Sequence, residues 1–256
     1  MDIDDIRKKI DRIDRELVKL INRRAKFALD ASKLKESNAR GIFAPERELQ
    51  VLESVFLHNK GPLVDKSIKA IYREIISACR ALEKPIFVAY PGPAGSSAHI
   101  ASVHQFGNST GFVSLESIAD VFGAVERKSA SYGVIPIENS TEGIVDNTLE
   151  RLVVSDLNII AELVEDQNRF FVIGTGITNP SGRDKTAIVL SMPRKATFDD
   201  KMADITVIES RLIKQTPWVF IEIKGHITDE PLERAVSKLS DQSPFVRVLG
   251  SYPEAK

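Results

Sequence analysis

Apolar residues near the start of the chain fall at Ile3, Ile6, Ile10, Ile13, Leu17, Leu20, Phe27, Ala31 and Leu34. The spacing alternates mostly between three and four, which predicts one long helix with an apolar seam. At about 1.5 Å per residue such a helix is roughly 50 Å long. A shorter helix is predicted from Pro45 to Leu57, with proline in its first turn. Ile68, Ile71, Tyr72, Ile75, Cys79 and Leu82 mark a third. Two shorter helices cannot cover so long a seam, so a second copy is expected to pack against it, giving a homodimer or a higher homo-oligomer.

The pattern then changes. From Pro85 to Gly174 apolar runs alternate with helical stretches, which predicts an α/β lobe. Thr178 to Gly182 is a turn-rich break. Beyond it, Thr186–Leu190, Ile205–Arg211, Trp218–Ile223 and Phe245–Leu249 alternate as strands, and Asp229 to Leu239 is an amphipathic helix. With a short helix after the first strand this is a βαββαβ order, the ferredoxin-like plan. Three domains are expected: all-α over 1–84, α/β over 85–176, and α+β over 177–256.

Composition narrows the class. Apolar residues are 43% and charged residues 28% of the chain, an ordinary globular mix. A net charge of −1 supplies no bulk field toward nucleic acid or a membrane. The single cysteine, Cys79, excludes a disulfide framework and a multi-cysteine metal cluster, and fits a reducing compartment. The acidic start, Met1 to Asp5, lacks the basic-then-apolar order of a signal peptide. No apolar run approaches the roughly 20 residues of a membrane span. A cytoplasmic location is the expectation.

Candidate chemistry begins on the long helix. Arg24 lies on the seam, two heptads after Ile10. A guanidinium in an apolar stripe is costly unless an anion meets it. Arg7 and Lys35 flank that seam four heptads apart, and Lys35 lies three turns beyond Arg24 on nearly the same face. Arg47 and Glu48 open the second helix, and Glu83 falls one turn after Cys79 on the third. Cations and carboxyls converging on a helical core suggest a pocket for a small dianion. Against this, Arg7 and Arg47 could be a surface ion network, Glu48 a first-turn helix carboxylate, and Cys79 a packed small residue.

The run Ile6-Arg7, Ile13-Asp14, Leu17, Arg24, Lys35, Pro45-Glu46-Arg47-Glu48 resembles the helical chorismate mutase family. The resemblance implies an intertwined dimer in which Arg7 reaches the partner protomer's pocket. It also implies that Arg24 and Arg47 grip two carboxylates, Lys35 meets the ether oxygen, Glu48 accepts the ring hydroxyl, and Glu83 faces the ether oxygen from the other side. The rearrangement of chorismate to prephenate is concerted and needs no nucleophile or cofactor. The protein must hold the reactive conformer and stabilise charge growing on the ether oxygen. Glu83 helps only when protonated. Ala44 and Cys79 depart from commoner patterns, which carry aspartate and serine there.

In the α/β segment, Ile86–Tyr90 runs into a glycine-rich turn, Pro91 to His99, that could present N–H groups to an anion or be a plain strand–helix connection. Tyr132 to Gly143 is a strand ending in crowded polar residues, Glu138, Asn139, Ser140, Thr141 and Glu142, before a helix. Ser140 or Thr141 could equally cap that helix. Together these stretches resemble the first lobe of the prephenate dehydratases, following a mutase as in the bifunctional family. The resemblance implies a periplasmic-binding-protein-like lobe with Glu138, Asn139, Ser140 and Arg169 in the dehydratase pocket, and conversion of prephenate to phenylpyruvate. It also exposes a departure. After Asn158 to Glu162 the family has an entire second lobe, whereas here the chain passes almost at once to Arg169-Phe170, and Asn168 stands where the family has a threonine. Either the dehydratase activity is lost or segments of a longer chain are missing. The second is favoured, because the flanking motifs match well and a half-lobe would expose apolar surface.

The tail, through Ile208-Glu209-Ser210-Arg211 and Val248 to Pro253, resembles the phenylalanine-sensing ACT domain fused to such dehydratases. That resemblance implies phenylalanine as an effector near Glu209, Ser210 and Arg211, although Arg211 could be a strand-exit charge and the family's glycine-rich helix start is replaced by Met192 to Ala196. Two alternatives remain: a monofunctional mutase with a vestigial tail, and a non-catalytic amino-acid-binding regulator.

Overall fold

The computed structural model describes residues 2–35, 42–140, 143–191, 205–213 and 216–255. Three helices open the chain: α1 (Ile3–Lys35), α2 (Pro45–His58) and α3 (Asp65–Glu83). Most of α1 is exposed. Ile3, Ile10, Ile13, Leu17, Leu20, Phe27 and Leu34 are all exposed, Leu34 to 83%. Only Arg24, Ala25, Ala28, Leu29 and Ser32, toward its C-terminal end, are half-buried, with Arg24 against α3. The seam is thus present and uncovered within one copy. The third helix presents two faces. Ile76, Ser77, Cys79 and Arg80 are buried, whereas Ile71 and Leu82, expected on its inner face, are exposed.

The α/β lobe follows: β1 (Phe87–Pro91), α4 (Ser97–Phe106), β2 (Gly111–Leu115), α5 (Ile118–Glu126), β3 (Tyr132–Asn139), β4 (Gly143–Ile144), α6 (Asp146–Val154), β5 (Asn158–Glu165) and β6 (Asn168–Gly174). The sheet runs β2-β1-β3-β6-β5, with β4 paired to the end of β3. The first three strands are parallel and the last two antiparallel. Alternation sorts the core onto two faces. Val88, Tyr90, Val134, Phe170 and Val172 pack under α4 with Phe43, which lies just before α2. Ala89, Ile135, Ile137, Phe171 and Ile173 pack under α5 and α6.

That second face is also covered by a four-stranded antiparallel sheet, β10-β7-β9-β8. It comprises β7 (Asp184–Ser191), β8 (Ile205–Ile213), β9 (Thr216–Lys224) and β10 (Phe245–Pro253), with α7 (Glu230–Gln242) between the last two. Ala187, Val189, Phe220, Leu249 and Tyr252 meet the lobe, while Ile188, Leu190, Val219, Ile221 and Ile223 pack on Leu232 and Leu239 of α7. The strand order agrees with the expected βαββαβ plan. The short helix expected near Met192 to Ala196 lies outside the described residues.

One contact sets how closely the two sheets approach. A Cβ at Gly250, where φ is +150°, would stand 2.0 Å from the backbone oxygen of Ile159. Backbone cannot yield as a side chain can. Gly250→Ala is therefore expected to destabilise the protein by about 3 kcal/mol or more, read as a fall in the denaturant midpoint. An unchanged midpoint would show that the sheets are not so closely docked.

Candidate active sites

The helical site is assembled by α1, α2 and α3. Arg24 reaches Cys79 Sγ at 3.2 Å. Glu48, from the first turn of α2, lies on the wall of a cleft of about 440 Å³ shared by α2, α3, α4 and β5. Its Oε1 accepts a hydrogen bond from Arg80 Nη1 at 2.8 Å. Burial pushes the Glu48 carboxyl up to about 7; Arg80 and, more weakly, Arg24 oppose that rise, and Glu46 adds to it. Glu83 ends α3 and is half-buried.

Two expected residues stand apart. Arg47 is exposed and bonds Gln50. Arg7 is exposed and pairs with Asp4 at 3.4 Å. Along the helix Arg7 lies about 25 Å from Arg24, too far to serve the same copy's pocket. Lys35 is the last residue of α1, and its side chain lies outside what the structure describes.

Reading the sequence missed Arg80. It is 5% exposed. A signal existed: Arg80 follows Ile76 by one helical turn, and a guanidinium on a buried face demands a partner, as argued for Arg24.

At the expected dehydratase site, Glu138, Asn139 and Ser140 lie at the end of β3. The Ser140 N–H donates to Asn168 Oδ1 at 3.2 Å. The N-cap position of α6 is Val145 and not Ser140, because β4 intervenes; Thr141 lies outside the described residues. In the glycine-rich turn three N–H groups already have partners within the chain. The N–H groups of Gly92, Gly95 and Ser96 donate to Leu115 O, His99 Nδ1 and Pro93 O. Ser96 caps α4 by accepting from His99 N.

Arg169 stands opposite Glu138 in register, but its guanidinium turns to the tail sheet. It pairs with Glu162 of the neighbouring strand β5 and with Glu222 of the tail sheet. Lys185 also bonds Glu162, at 3.1 Å, and Tyr252 donates to Glu222. Burial would raise the Glu162 carboxyl, but Arg169 and Lys185 outweigh it and hold it below its ordinary value. Burial, and then Glu222, push the Tyr252 hydroxyl well above its ordinary value. Glu209, Ser210 and Arg211 lie on β8, and their side chains fall outside the description.

Where the second lobe was expected, β5 turns directly into β6. Glu165 pairs with Asn168, and the two linking residues, Asp166 and Gln167, have φ of 47° and 64°. Positive φ at both central residues is the type I′ pattern whose twist suits a hairpin. The expected exposure of a bare half-lobe is not observed on the sheet's second face, because the tail sheet covers it.

A helical module that brings Arg24, Arg80 and Glu48 together is joined to this α/β lobe, the two-part class of architecture in which the comparisons place the chain. A model of the chorismate mutase type II family matches residues 6–84, and a model of the prephenate dehydratase family matches residues 88–195. The bifunctional chorismate mutase/prephenate dehydratase of Aquifex aeolicus is 30% identical, with 99% of this chain and 98% of that protein covered. The protein of the same name from Neisseria gonorrhoeae is 29% identical, with 97% and 96% covered. The chain therefore belongs to the bifunctional chorismate mutase/prephenate dehydratase family. The Aquifex alignment is 356 positions long against 256 residues here, so at least 100 of its positions face no residue of this chain. Among solved structures, the prephenate dehydratase of Streptococcus mutans shares the fold at a TM-score of 0.54 and 23% identity, covering 67% of this chain and all of that one. The prephenate dehydratase of Arthrobacter aurescens, in complex with L-Phe, shares it at 0.58 and 19%, covering 66% and 90%.

Proposed function

We propose that this protein acts in phenylalanine biosynthesis, rearranging chorismate to prephenate in its helical module and converting prephenate to phenylpyruvate in its α/β lobe. The observation that carries the first step is Arg24 of α1, held against Cys79 of α3 and near enough to Glu48 of α2 to act on its carboxyl. Arg24 and Arg47 bind the two carboxylates, Lys35 stabilises the ether oxygen, Glu48 accepts the ring hydroxyl as a carboxylate, and Glu83 donates to the ether oxygen when protonated. Arg7 acts from a second copy, whose α1 covers the exposed seam. Sedimentation is expected to give a dimer mass, and a concentration-independent monomer would contradict this.

Because Glu48 acts as an ionised carboxylate that accepts a hydrogen bond from the ring hydroxyl, mutase kcat/KM is expected to fall as pH drops through about 7. A pH profile of chorismate loss checks this. A flat profile down to pH 5 would remove Glu48 from the reaction.

For the second step, Glu138, Asn139 and Ser140 would face prephenate, and phenylalanine would act at Glu209 to Arg211 in an ACT-type tail, binding one conformational state better than another. The L-Phe complex of the Arthrobacter relative supports the effector reading. A second reading, a mutase with a vestigial dehydratase region, draws support from the closed β5–β6 hairpin. Phenylpyruvate formation from prephenate by the 256-residue chain decides between them, with the intact mass of the natural protein.

A further inference from the structure

The one buried cation that joins the helical module to the α/β lobe is, among the described residues, neither Arg24 nor Arg169 but Arg80. Its Nη1 donates to Glu48 Oε1 at 2.8 Å, and its Nη2 donates to the carbonyl of Phe106, the last residue of α4, at 2.6 Å. The guanidinium lies over the rings of Phe43 and Phe106, at 5.5 and 5.3 Å from their centroids. A planar fork is suited to two acceptors at once while stacking on aromatic faces. The second acceptor is a helix C-terminus, the negative end of its dipole. Around it the lobe grips the module further. The Phe43 N–H donates to the Tyr132 hydroxyl at 3.0 Å, and the Asn108 N–H donates to Glu74 at 2.9 Å.

We propose that Arg80 is a positioning residue for the mutase: braced by the end of α4, it holds the Glu48 carboxylate, so that the seating of the α/β lobe sets the mutase rate. This rests on the reading of Glu48 as the group that accepts the substrate hydroxyl. The charged and titratable groups acting on Glu48 are Arg80 from α3, Glu46 from α2 and Arg24 from α1, and Glu48 in turn acts on Tyr132 of β3 across the lobe interface. Arg80 is the strongest of those that favour ionised Glu48. Removing it leaves the carboxyl buried with a weaker counter-charge, and the proton is lost only at higher pH.

The test is the pH dependence of chorismate turnover by the full chain in five forms: unaltered, Arg80→Met, Arg80→Lys, Glu48→Ala, and Arg80→Met with Glu48→Ala. Arg80→Met is expected to lower kcat/KM at pH 7.5 about tenfold or more and to move the acid limb up by about one unit or more. Arg80→Lys keeps a cation, so its limb stays near that of the unaltered protein. In the Glu48→Ala background, Arg80→Met should cost less than about twofold, because its effect passes through Glu48. An unmoved limb in Arg80→Met, or an equal loss in both backgrounds, overturns the proposal while leaving the Glu48 role intact. Full turnover in Glu48→Ala overturns the underlying reading, and the proposal with it. If Arg80→Met does not fold, Arg80→Gln, which keeps an amide donor without charge, carries the same limb test.

Discussion

Arg24→Ala should lower kcat/KM for chorismate by about 10²–10³-fold, a loss of roughly 3–4 kcal/mol of transition-state binding. The size follows from the setting. Arg24 is half-buried, close to Cys79 and near enough to Glu48 to act on its carboxyl. Its charge therefore meets the substrate carboxylate with less water between them than at an open surface. Lys35→Ala should cost a similar factor if its ammonium meets the ether oxygen, and should act mainly on kcat, because that charge develops only in the transition state. Steady-state kinetics of both variants check the pair. Turnover unchanged in each would remove the cationic site from the reaction.

Arg169→Met should destabilise the protein by about 3–5 kcal/mol at neutral pH, because it leaves two buried carboxylates, Glu162 and Glu222, without their shared guanidinium. Urea unfolding reads this as a lowered midpoint. The pH dependence has a definite sign. The Glu162 carboxyl is held below its ordinary value, so its contribution is present above the unfolded pKa, about 4.5, and is lost as pH falls through the lower folded value. The gap between the two proteins should therefore narrow in acid. A midpoint within error of the unaltered protein at pH 7 would show that the pairing carries no stability. Such a loss also means that weak dehydratase activity in this variant says nothing about contact with substrate.

The parts of this fold that were legible in the sequence are those set by local period. The three- and four-residue spacing gave α1 its length, and alternation along residues 186–190 placed Ala187 and Val189 on one face and Ile188 and Leu190 on the other. What stayed hidden depends on which face meets which neighbour. On α3 the pattern of Ile71, Cys79 and Leu82 drew attention to a stripe that is half exposed in one copy, while the face docked on the lobe is Ile76, Ser77 and Arg80. Period cannot tell two useful faces of one helix apart. Arg169 is expected in a pocket by resemblance; that it also pairs with Glu162 and with Glu222, the latter distant in sequence, is nothing a local period can show. The short β5–β6 link was legible as a missing lobe, but the tail sheet's cover of the exposed face was not, since it rests on the approach of Gly250 to Ile159.

One catalytic pocket is expected to be built by two copies, Arg7 of one meeting Arg24 of the other. Mixing Arg7→Ala and Arg24→Ala proteins under subunit exchange tests it most directly. Each variant alone should be nearly inactive, and an equal mixture should recover about a quarter of full chorismate turnover, since half the dimers then hold one intact site. A mixture no more active than its two components would show that Arg7 and Arg24 of different copies do not share a pocket.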